Sequence, residues 1–232
     1  MPSSVVYYTD HNLPPELRDL CAAQLQAAAG SAEIVTVGLN KPAAFGDERL
    51  TLLAERGILT MHRQILAGLE AAAGPLVYMC EHDVLYHPSH FDTGDLAGVT
   101  VDTFVYNTNV WHTRYPDGHS VYYDARQVSG LCADRALLID YYTQRIAQIE
   151  REGFNRHYEP GLRQTVGGQI VIDRRSAYPN LDIRHGHNLT QSKWSVSDFR
   201  ELRYARGWKE SDTVAGWGRP ADVFSKGVIL WR

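Results

Sequence analysis

The sequence of 232 residues predicts an α/β fold built on a parallel β-sheet. Two observations support this fold class. Short apolar runs, such as residues 5–8 and 76–80, are typical of strands that are covered on both faces. Between these runs, apolar residues recur at helical spacing. An alternation of strands and helices joined by right-handed crossovers places the strands parallel.

The elements of the first part follow in order. A strand over residues 5–8 precedes a helix that begins at Pro15, because proline suits the first helical position, and that ends at Gly30. Gly74-Pro75 breaks the next helical pattern just before an apolar run. The remaining elements of this part are a second strand, a second helix and a third strand, over residues 34–37, 58–69 and 76–80.

The second part of the chain is less regular. Beyond Pro88 we predict strands over residues 104–106 and 170–172, and one amphipathic helix from Asp134 to Glu150. The rest is rich in Gly, Pro, Tyr, Trp and His, which is typical of ordered loops. No internal repeat and no linker-like stretch is found, so we expect a single domain over residues 1–232.

Composition restricts the class of protein. The net charge of -4 gives no general attraction to nucleic acids or anionic membranes. Cys21, Cys80 and Cys132 are far apart and odd in number, which indicates reduced thiols. No apolar stretch approaches the roughly 20 residues that span a bilayer, and the first residues lack a basic leader. We therefore expect a cytoplasmic protein without a membrane span.

The main candidate site is Glu81-His82-Asp83, directly after the strand over residues 76–80. Open α/β sheets bind ligands at the carboxyl ends of their strands. Side chains alternate along an extended chain, so Glu81 and Asp83 share one side. Two such carboxylates can hold a divalent cation that in turn binds phosphate oxygens, although a polar turn would have the same sequence. Dinucleotide and P-loop glycine motifs are absent.

Residues 61–72, the following break, the apolar strand, Glu81-His82-Asp83 and a proline a few residues later together resemble the centre of GT-A-fold glycosyltransferases, family 2-like in particular. The resemblance covers residues 5 to 91 best, with Glu81 in place of the first Asp of the family's Asp-x-Asp motif. It implies a Rossmann-like three-layer sandwich with a mostly parallel sheet. It also implies a nucleotide-sugar-binding half over about residues 1–100 and an acceptor-binding half over about 101–232.

The resemblance further implies a metal site. Enzymes of this fold often add a late histidine to the Asp-x-Asp carboxylates, and His185 and His187 both qualify, His185 being preferred. Two incidental histidines in a solvated loop are the alternative. The expected ligands are Glu81, Asp83, His185 and His187. A mixed set of carboxylates and imidazoles favours Mn²⁺, with Mg²⁺ also suitable.

A catalytic base is expected from the same resemblance. Inverting enzymes of this fold keep a carboxylate after the late helix to deprotonate the acceptor hydroxyl. Glu159 occupies a comparable position, although Pro160 follows it where the family has Asp, and a turn glutamate is the alternative. Asp134 and Asp124 are the reserve candidates.

Two further sets of residues are expected to bind substrates. The donor-binding set follows from the resemblance and consists of Thr9, Asp10, Arg63, Gln64 and Glu81. The acceptor-binding set follows a predicted strand and combines amides with an aromatic ring, as in sites that recognise sugars or bases; it consists of Asn107, Asn109 and Trp111.

The predicted function is therefore metal-dependent transfer of a sugar from a nucleotide-diphosphate sugar, a UDP-sugar first, to an acceptor hydroxyl with inversion. The acceptor is a saccharide or a hydroxymethylated pyrimidine in DNA. A DNA acceptor would use the basic stretch Arg200, Arg203, Arg206 and Lys209, with Tyr204 and Trp208 interleaved, although a basic helix face has the same pattern. A non-catalytic sugar-binding domain is one alternative. The other is a metal-dependent hydrolase or nuclease that uses His82, Asp83, His87, His90, His185 and His187.

Overall fold

A computed structural model describes residues 3–92, 94–96, 100–154, 160–161 and 169–227. Within these residues the chain forms four helices and twelve strands. The helices are α1 (Pro15–Ala29), α2 (Ile58–Ala71), α3 (Arg135–Glu152) and α4 (Pro220–Lys226). The strands are β1 (Ser3–Thr9), β2 (Glu33–Leu39), β3 (Glu48–Leu52), β4 (Leu76–Glu81), β5 (Val84–Leu85), β6 (Thr103–Asn107), β7 (Val110–Arg114), β8 (Ser120–Tyr122), β9 (Leu131–Asp134), β10 (Ile170–Arg174), β11 (Asn180–Arg184) and β12 (Lys209–Ser211).

The larger sheet has seven strands in the order β10-β6-β9-β4-β1-β2-β3. Strands β4, β1, β2 and β3 pair in parallel, as do β10 and β6. Within the described residues β9 is the one antiparallel member, because it runs against both β4 and β6. The prediction of an α/β fold with a mostly parallel central sheet is confirmed.

Helices cover both faces of this sheet, because its strands alternate two apolar sets of side chains. On one face Val5 and Tyr7 pack with Leu25 of α1. On the other face Val6 packs with Leu69 of α2, and residues of α3 belong to the same cluster. The result is the expected three-layer sandwich. All of the helices and strands that the sequence predicted are found, and their ends lie close to the predicted ones.

The close approach of α2 to the sheet depends on Gly68. A Cβ atom at this position would lie 2.6 Å from Cγ1 of Val6, a distance that real Cβ atoms do not show. The absence of a side chain therefore lets the backbone of α2 lie directly on β1. This contact fixes α2 close to the strand that ends at the candidate site.

Strand β9 was not predicted, and it changes the role of one expected catalytic residue. The start of β4 pairs with the end of β9, with Leu76 opposite Asp134. The Asp134 carboxylate accepts hydrogen bonds from the backbone N–H groups of Ala136, at 2.9 Å, and Leu137, at 3.2 Å. Asp134 is thus the N-cap of α3 and lies at the edge of the sheet opposite to Glu81.

A second, five-stranded sheet has the order β12-β8-β7-β11-β5. Strand β5 follows β4 after a two-residue turn and pairs antiparallel with β11, which in turn pairs in parallel with β7. The backbone N–H of Ile183 donates to the carbonyl oxygen of Asp83 at 2.7 Å. This pairing brings the last quarter of the chain to the carboxyl edge of the larger sheet.

Across the part of the chain that the structure describes, every helix is too short or too polar to cross a membrane. The three cysteines are free thiols, and all three are buried.

Candidate functional site

A cavity of about 310 Å³ opens at the carboxyl ends of β1 and β4. Its walls come from the ends of these two strands, the start of α2, the facing side of the smaller sheet, and the segments after β8 and β11. The polar residues that line the cavity include Thr9, Asp10, Arg56, Gln64, Glu81, His82, Asp83, His112, Tyr123, Gln127, Asp182, Arg184, His187 and Asn188.

Three residues could hold a metal ion: His82 and Asp83 line the cavity, and His185 lies next to Asp83 without lining it. His82, Asp83 and His185 each offer one ligand atom, and these atoms all lie within 4.8 Å of one another. The ring of His185 is 1 % exposed, and neither of its nitrogens has a hydrogen-bond partner among the described residues. A buried imidazole left without a hydrogen bond beside a carboxylate suits a transition-metal ligand, so the donor set fits the predicted cation.

Asn188 fixes the relative positions of Asp83 and His185. Its Nδ2 donates to Oδ2 of Asp83 at 2.8 Å and to the carbonyl oxygen of Ile183 at 3.0 Å. Its Oδ1 accepts from the backbone N–H of His185 at 2.9 Å. One amide therefore links the carboxylate, the end of β11 and the histidine. Such outer partners orient metal ligands in proteins.

The other histidine of the group is fixed by the end of β1. Nδ1 of His82 lies 2.8 Å from Oγ1 of Thr9 and 3.5 Å from the carboxylate of Asp10. Nε of Arg56 donates to the same carboxylate at 2.5 Å. Burial alone would raise the pKa of Asp10, but His82 and Arg56 outweigh it and hold this pKa below its usual value.

Glu81 lies in the cavity wall but outside the three-residue group. Its Oε1 accepts a hydrogen bond from the hydroxyl of Tyr8 at 2.7 Å, since the two residues are opposite each other on β4 and β1. Burial, together with the charge of Asp83, raises the pKa of Glu81 to about 8. His82, and not the predicted Glu81, is the third member of the group.

A second polar cluster lines the cavity from the smaller sheet. Nδ1 of His112 lies 2.9 Å from Oδ2 of Asp182, because these residues are directly opposite in β7 and β11. Nε2 of His112 lies 3.1 Å from Nε2 of Gln127. Burial would raise the pKa of Asp182, but Arg184 and His112 outweigh it and lower this pKa to about 2. Asp182 is therefore a buried carboxylate that stays ionised.

The predicted donor-binding residues are only partly brought together. Thr9, Asp10, Gln64 and Glu81 line the cavity. Gln64 donates to the carbonyl oxygens of Thr9 and Val37, both at 3.0 Å, and so links β1 to β2. Arg63 instead forms an exposed ion pair with Glu150 on α3 and is not part of the cavity lining.

The predicted acceptor-binding residues are not among those that line the cavity. Asn107 and Asn109 are buried and hydrogen-bonded to Ser176. Trp111 packs toward the core on the face of β7 opposite to His112, because neighbouring residues of a strand alternate. The adjacent histidine, not the tryptophan, faces the cavity.

The remaining predicted residues have different outcomes. His187 lines the cavity, whereas Glu159 lies outside the described residues, so its role stays a prediction. The basic stretch is not one helix face: Arg203 pairs with Glu201 in a short 3₁₀ turn, Arg206 lies 3.5 Å from Asp124, and Lys209 begins β12.

The site residues that sequence analysis missed include Arg56, Asn188, His112 and Asp182. Asn188 could have been found, because it closes the short polar segment that contains both candidate histidines. His112 and Asp182 are separated by 70 positions, and only the pairing of β7 with β11 brings them together.

No protein-family model matches this sequence, and no curated protein matches it. Solved structures to which this chain is similar include a nucleotidyl transferase from Methanothermobacter, with a TM-score of 0.38, 14% identity, and coverage of 65% of this chain and 83% of that chain. A glycosyltransferase, GlyE of Streptococcus pneumoniae, gives a TM-score of 0.40 at 12% identity, over 68% of this chain and 41% of that chain. The CMP:2-keto-3-deoxy-manno-octonic acid synthetase complexed with CTP gives a TM-score of 0.41 at 12% identity, over 79% of this chain and 94% of that chain. Similarities at this level do not assign a function.

Proposed function

We propose that this protein is a metal-dependent transferase that moves a sugar from a nucleotide-diphosphate sugar to an acceptor hydroxyl. The observation that supports the proposal most is the group His82, Asp83 and His185 at the carboxyl edge of a parallel sheet. This edge is where open α/β sheets bind their ligands. Neither ring nitrogen of His185 has a hydrogen-bond partner among the described residues, so one of them can bind a cation.

The residues around the group suit an anionic donor. A divalent cation bound by His82, Asp83 and His185 would neutralise the charge that develops on the departing diphosphate. Arg56 and Arg184 also line the cavity, and their guanidinium groups match phosphate oxygens. Thr9 and Asp10 lie at the end of β1, where we place the nucleoside. Mn²⁺ and a UDP-sugar are our first choices of cation and donor.

A metal-dependent hydrolase or nuclease is less well supported. Of the six residues in that hypothesis, His82, Asp83 and His185 form the group, and His187 lines the cavity. His87 and His90 belong to a different buried cluster, in which His90 is hydrogen-bonded to asparagines. A hydrolytic site of six converging residues is therefore not formed by the described part of the chain.

The proposal is tested by titrating UDP into the protein with Mn²⁺ and again with EDTA. The parent should bind UDP only with the metal, and Asp83→Asn should lose that binding. Asp140→Asn is a matched control, because Asp140 is an exposed carboxylate of α3 outside the cavity lining. It should bind like the parent. GDP and CTP in the same titration identify the nucleotide.

Two results would contradict the proposal. One is a parent protein that binds none of these nucleotides in the presence of Mn²⁺ or Mg²⁺. The other is an Asp83→Asn variant that binds as well as the parent. Metal-dependent cleavage of a phosphodiester substrate without nucleotide binding would favour the hydrolase instead.

A further inference from the structure

We propose that His112, oriented by Asp182, is the catalytic base that takes the proton from the acceptor hydroxyl. This inference rests on the proposed transferase function and assigns a residue pair on the opposite wall of the same cavity. Neither residue belongs to the Glu81-His82-Asp83 segment or to the late histidines. Both line the cavity, so a substrate there can touch His112 directly.

The hydrogen bonds determine which ring nitrogen is free to accept a proton. Asp182 is an ionised carboxylate that can only accept, so Nδ1 of His112, 2.9 Å away, must carry the hydrogen. Nε2 is then the nitrogen with the lone pair, and the amide of Gln127 donates to it at 3.1 Å. A neutral imidazole in this tautomer is the form that acts as a base.

Arg184 shares the carboxylate of Asp182 with His112, but it lies near the oxygen that does not contact the ring. From β11, Arg184 lies 3.4 Å from the second oxygen of Asp182. Two nitrogens of its guanidinium are also bound to Thr190 and Ser192. From the segment after β8, the ring of Tyr123 stacks on His112 at 4.4 Å and 12° and fixes its plane. Asp182 thus holds one edge of the ring, while the other edge contacts Gln127 in the cavity wall.

The sheet places the base apart from the metal-binding group. Strand β11 lies between β7, which has His112, and β5, which follows Asp83. With strands ~4.8 Å apart, the backbones of β7 and β5 are separated by about 10 Å. The cavity lies against both, so a donor held at Asp83 and an acceptor hydroxyl at His112 can occupy it together.

The step is a direct displacement. The arriving hydroxyl displaces the amide of Gln127 from Nε2 of His112. The hydroxyl proton then moves to this nitrogen. The hydroxyl oxygen forms a bond to the anomeric carbon of the donor. The bond from that carbon to the diphosphate oxygen breaks, and the diphosphate leaves with the electron pair. The imidazolium formed is stabilised by the adjacent carboxylate of Asp182.

The test measures UDP release from UDP-glucose with Mn²⁺, with water or an added methyl glucoside or hydroxymethylpyrimidine oligonucleotide as the hydroxyl. His112→Gln should lower kcat by roughly 10²–10⁴-fold, the range for loss of a general base, with the affinity for UDP unchanged. Added imidazole should restore part of the turnover of His112→Ala. His119→Gln is the matched control, because His119 pairs with Asp212 outside the cavity lining and should not affect turnover.

Asp182 is a positioning residue and needs a separate readout. In Asp182→Asn the new amide can donate to Nδ1, which puts the ring hydrogen on Nε2 and removes the base. We expect kcat to fall while KM for the donor stays constant. A purely structural residue would change both constants and the melting temperature together.

The outcomes separate this inference from the proposed function. If the parent binds UDP with Mn²⁺ but His112→Gln turns over like the parent, the base is not His112 and the transferase proposal stands. The same conclusion follows if Glu159→Gln shows the full loss in kcat and His112→Gln does not. If His112→Ala loses UDP affinity and imidazole restores nothing, its role is structural. A parent that neither binds UDP nor releases it overturns both proposals.

Discussion

Two buried histidines of this protein, His185 and His90, have opposite surroundings. His185 is buried beside Asp83, and neither of its nitrogens has a hydrogen-bond partner in the described residues. At the other end of β11, Nδ1 of His90 lies 3.0 Å from the amide of Asn107 and 3.1 Å from that of Asn180. The rings of Tyr78, Tyr86 and Phe91 surround it at 4.9–5.6 Å.

The difference shows what makes a histidine available for chemistry. The two amides can only donate, so Nδ1 of His90 must accept and the ring is neutral. Burial, with the charge of Arg174, lowers the pKa of His90 to about 3. His90 is thus part of the core. The ring of His185 lies beside a carboxylate, and no amide donates to its nitrogens. A ring nitrogen is therefore available to bind a metal ion.

The largest effect that would test this comparison is on metal affinity. His185→Ala should weaken Mn²⁺ binding by more than the roughly 10–100-fold that loss of an outer partner costs. His90→Ala should leave Mn²⁺ affinity within about twofold, because its surroundings are aromatic and amide groups. Isothermal titration with Mn²⁺ measures both. Equal losses in the two variants would mean that the two groups do not differ as described.

The amide that holds the metal group together gives the next largest effect. Asn188→Ala removes the hydrogen bonds to Asp83 and to the backbone of His185. Mn²⁺ affinity should fall by roughly 10–100-fold, because a ligand without its outer partner is less well oriented. Asn40→Ala, which removes an exposed side chain bonded to the backbone of Ala54, is the control. Unchanged affinity in Asn188→Ala would show that β11 alone positions the site.

The core group predicts a dependence of stability on pH. The pKa of His90 is lowered in the folded protein, so the unfolded chain binds a proton first and stability falls as pH drops from about 6.5 toward 3. The loss is about 1.4 kcal/mol per pH unit for one such group. His87, with its pKa lowered to about 4 by burial, adds to it above pH 4.

His90→Gln should therefore flatten the pH dependence. Urea unfolding of the parent and the variant at pH 7.5 gives the cost of the substitution itself. The same pair at pH 5 should then differ by less, because the variant no longer takes up this proton on unfolding. Parallel decreases in both proteins between pH 7.5 and 5 would contradict a buried neutral His90.

The smallest expected effect concerns Asp134, which the sequence placed among the catalytic candidates. As the N-cap of α3 it contributes to stability, and Asp134→Ala should cost about 1 kcal/mol in the free energy of unfolding. UDP release should not change, because Asp134 lies at the far edge of the sheet. A large loss of turnover with normal stability would return it to the candidates for the base.

The sequence predicted the fold wherever local patterns determine it. The runs at residues 5–8 and 76–80 are continuous and apolar because their strands are buried on both faces, and Gly30 and Gly74-Pro75 mark where helices end. Strands β7, β8 and β11 were missed because polar residues such as His112, Ser120 and Asp182 occupy their cavity-facing or paired positions. A strand that lines a site does not have the pattern of a core strand.

Only those site residues that lie next to a recognisable strand or motif in the sequence could be predicted. Asp83 comes directly after a recognisable strand, and His185 was proposed from a family resemblance; the structure brings the two together. His82 was considered only in the hydrolase alternative, because an adjacent histidine looks like part of a turn. The sequence does not show that His112 rather than Trp111 faces the cavity, because the two faces of β7 cannot be assigned to core or cavity without the neighbouring strand.

The hydrogen bond from Asn188 to Asp83 spans 105 positions of the sequence. An ion bound between Asp83 and His185 would act as a non-covalent cross-link that closes a loop of nearly half the chain. Closing such a loop costs the unfolded chain conformational entropy, and the unfolded chain has no preformed site. The ion would therefore bind the folded form almost exclusively. At a concentration 100 times its dissociation constant it would stabilise that form by about 2.7 kcal/mol. Chelation would then lower the melting temperature of the whole domain, and a fragment ending before β11 would bind no better than a short acidic peptide.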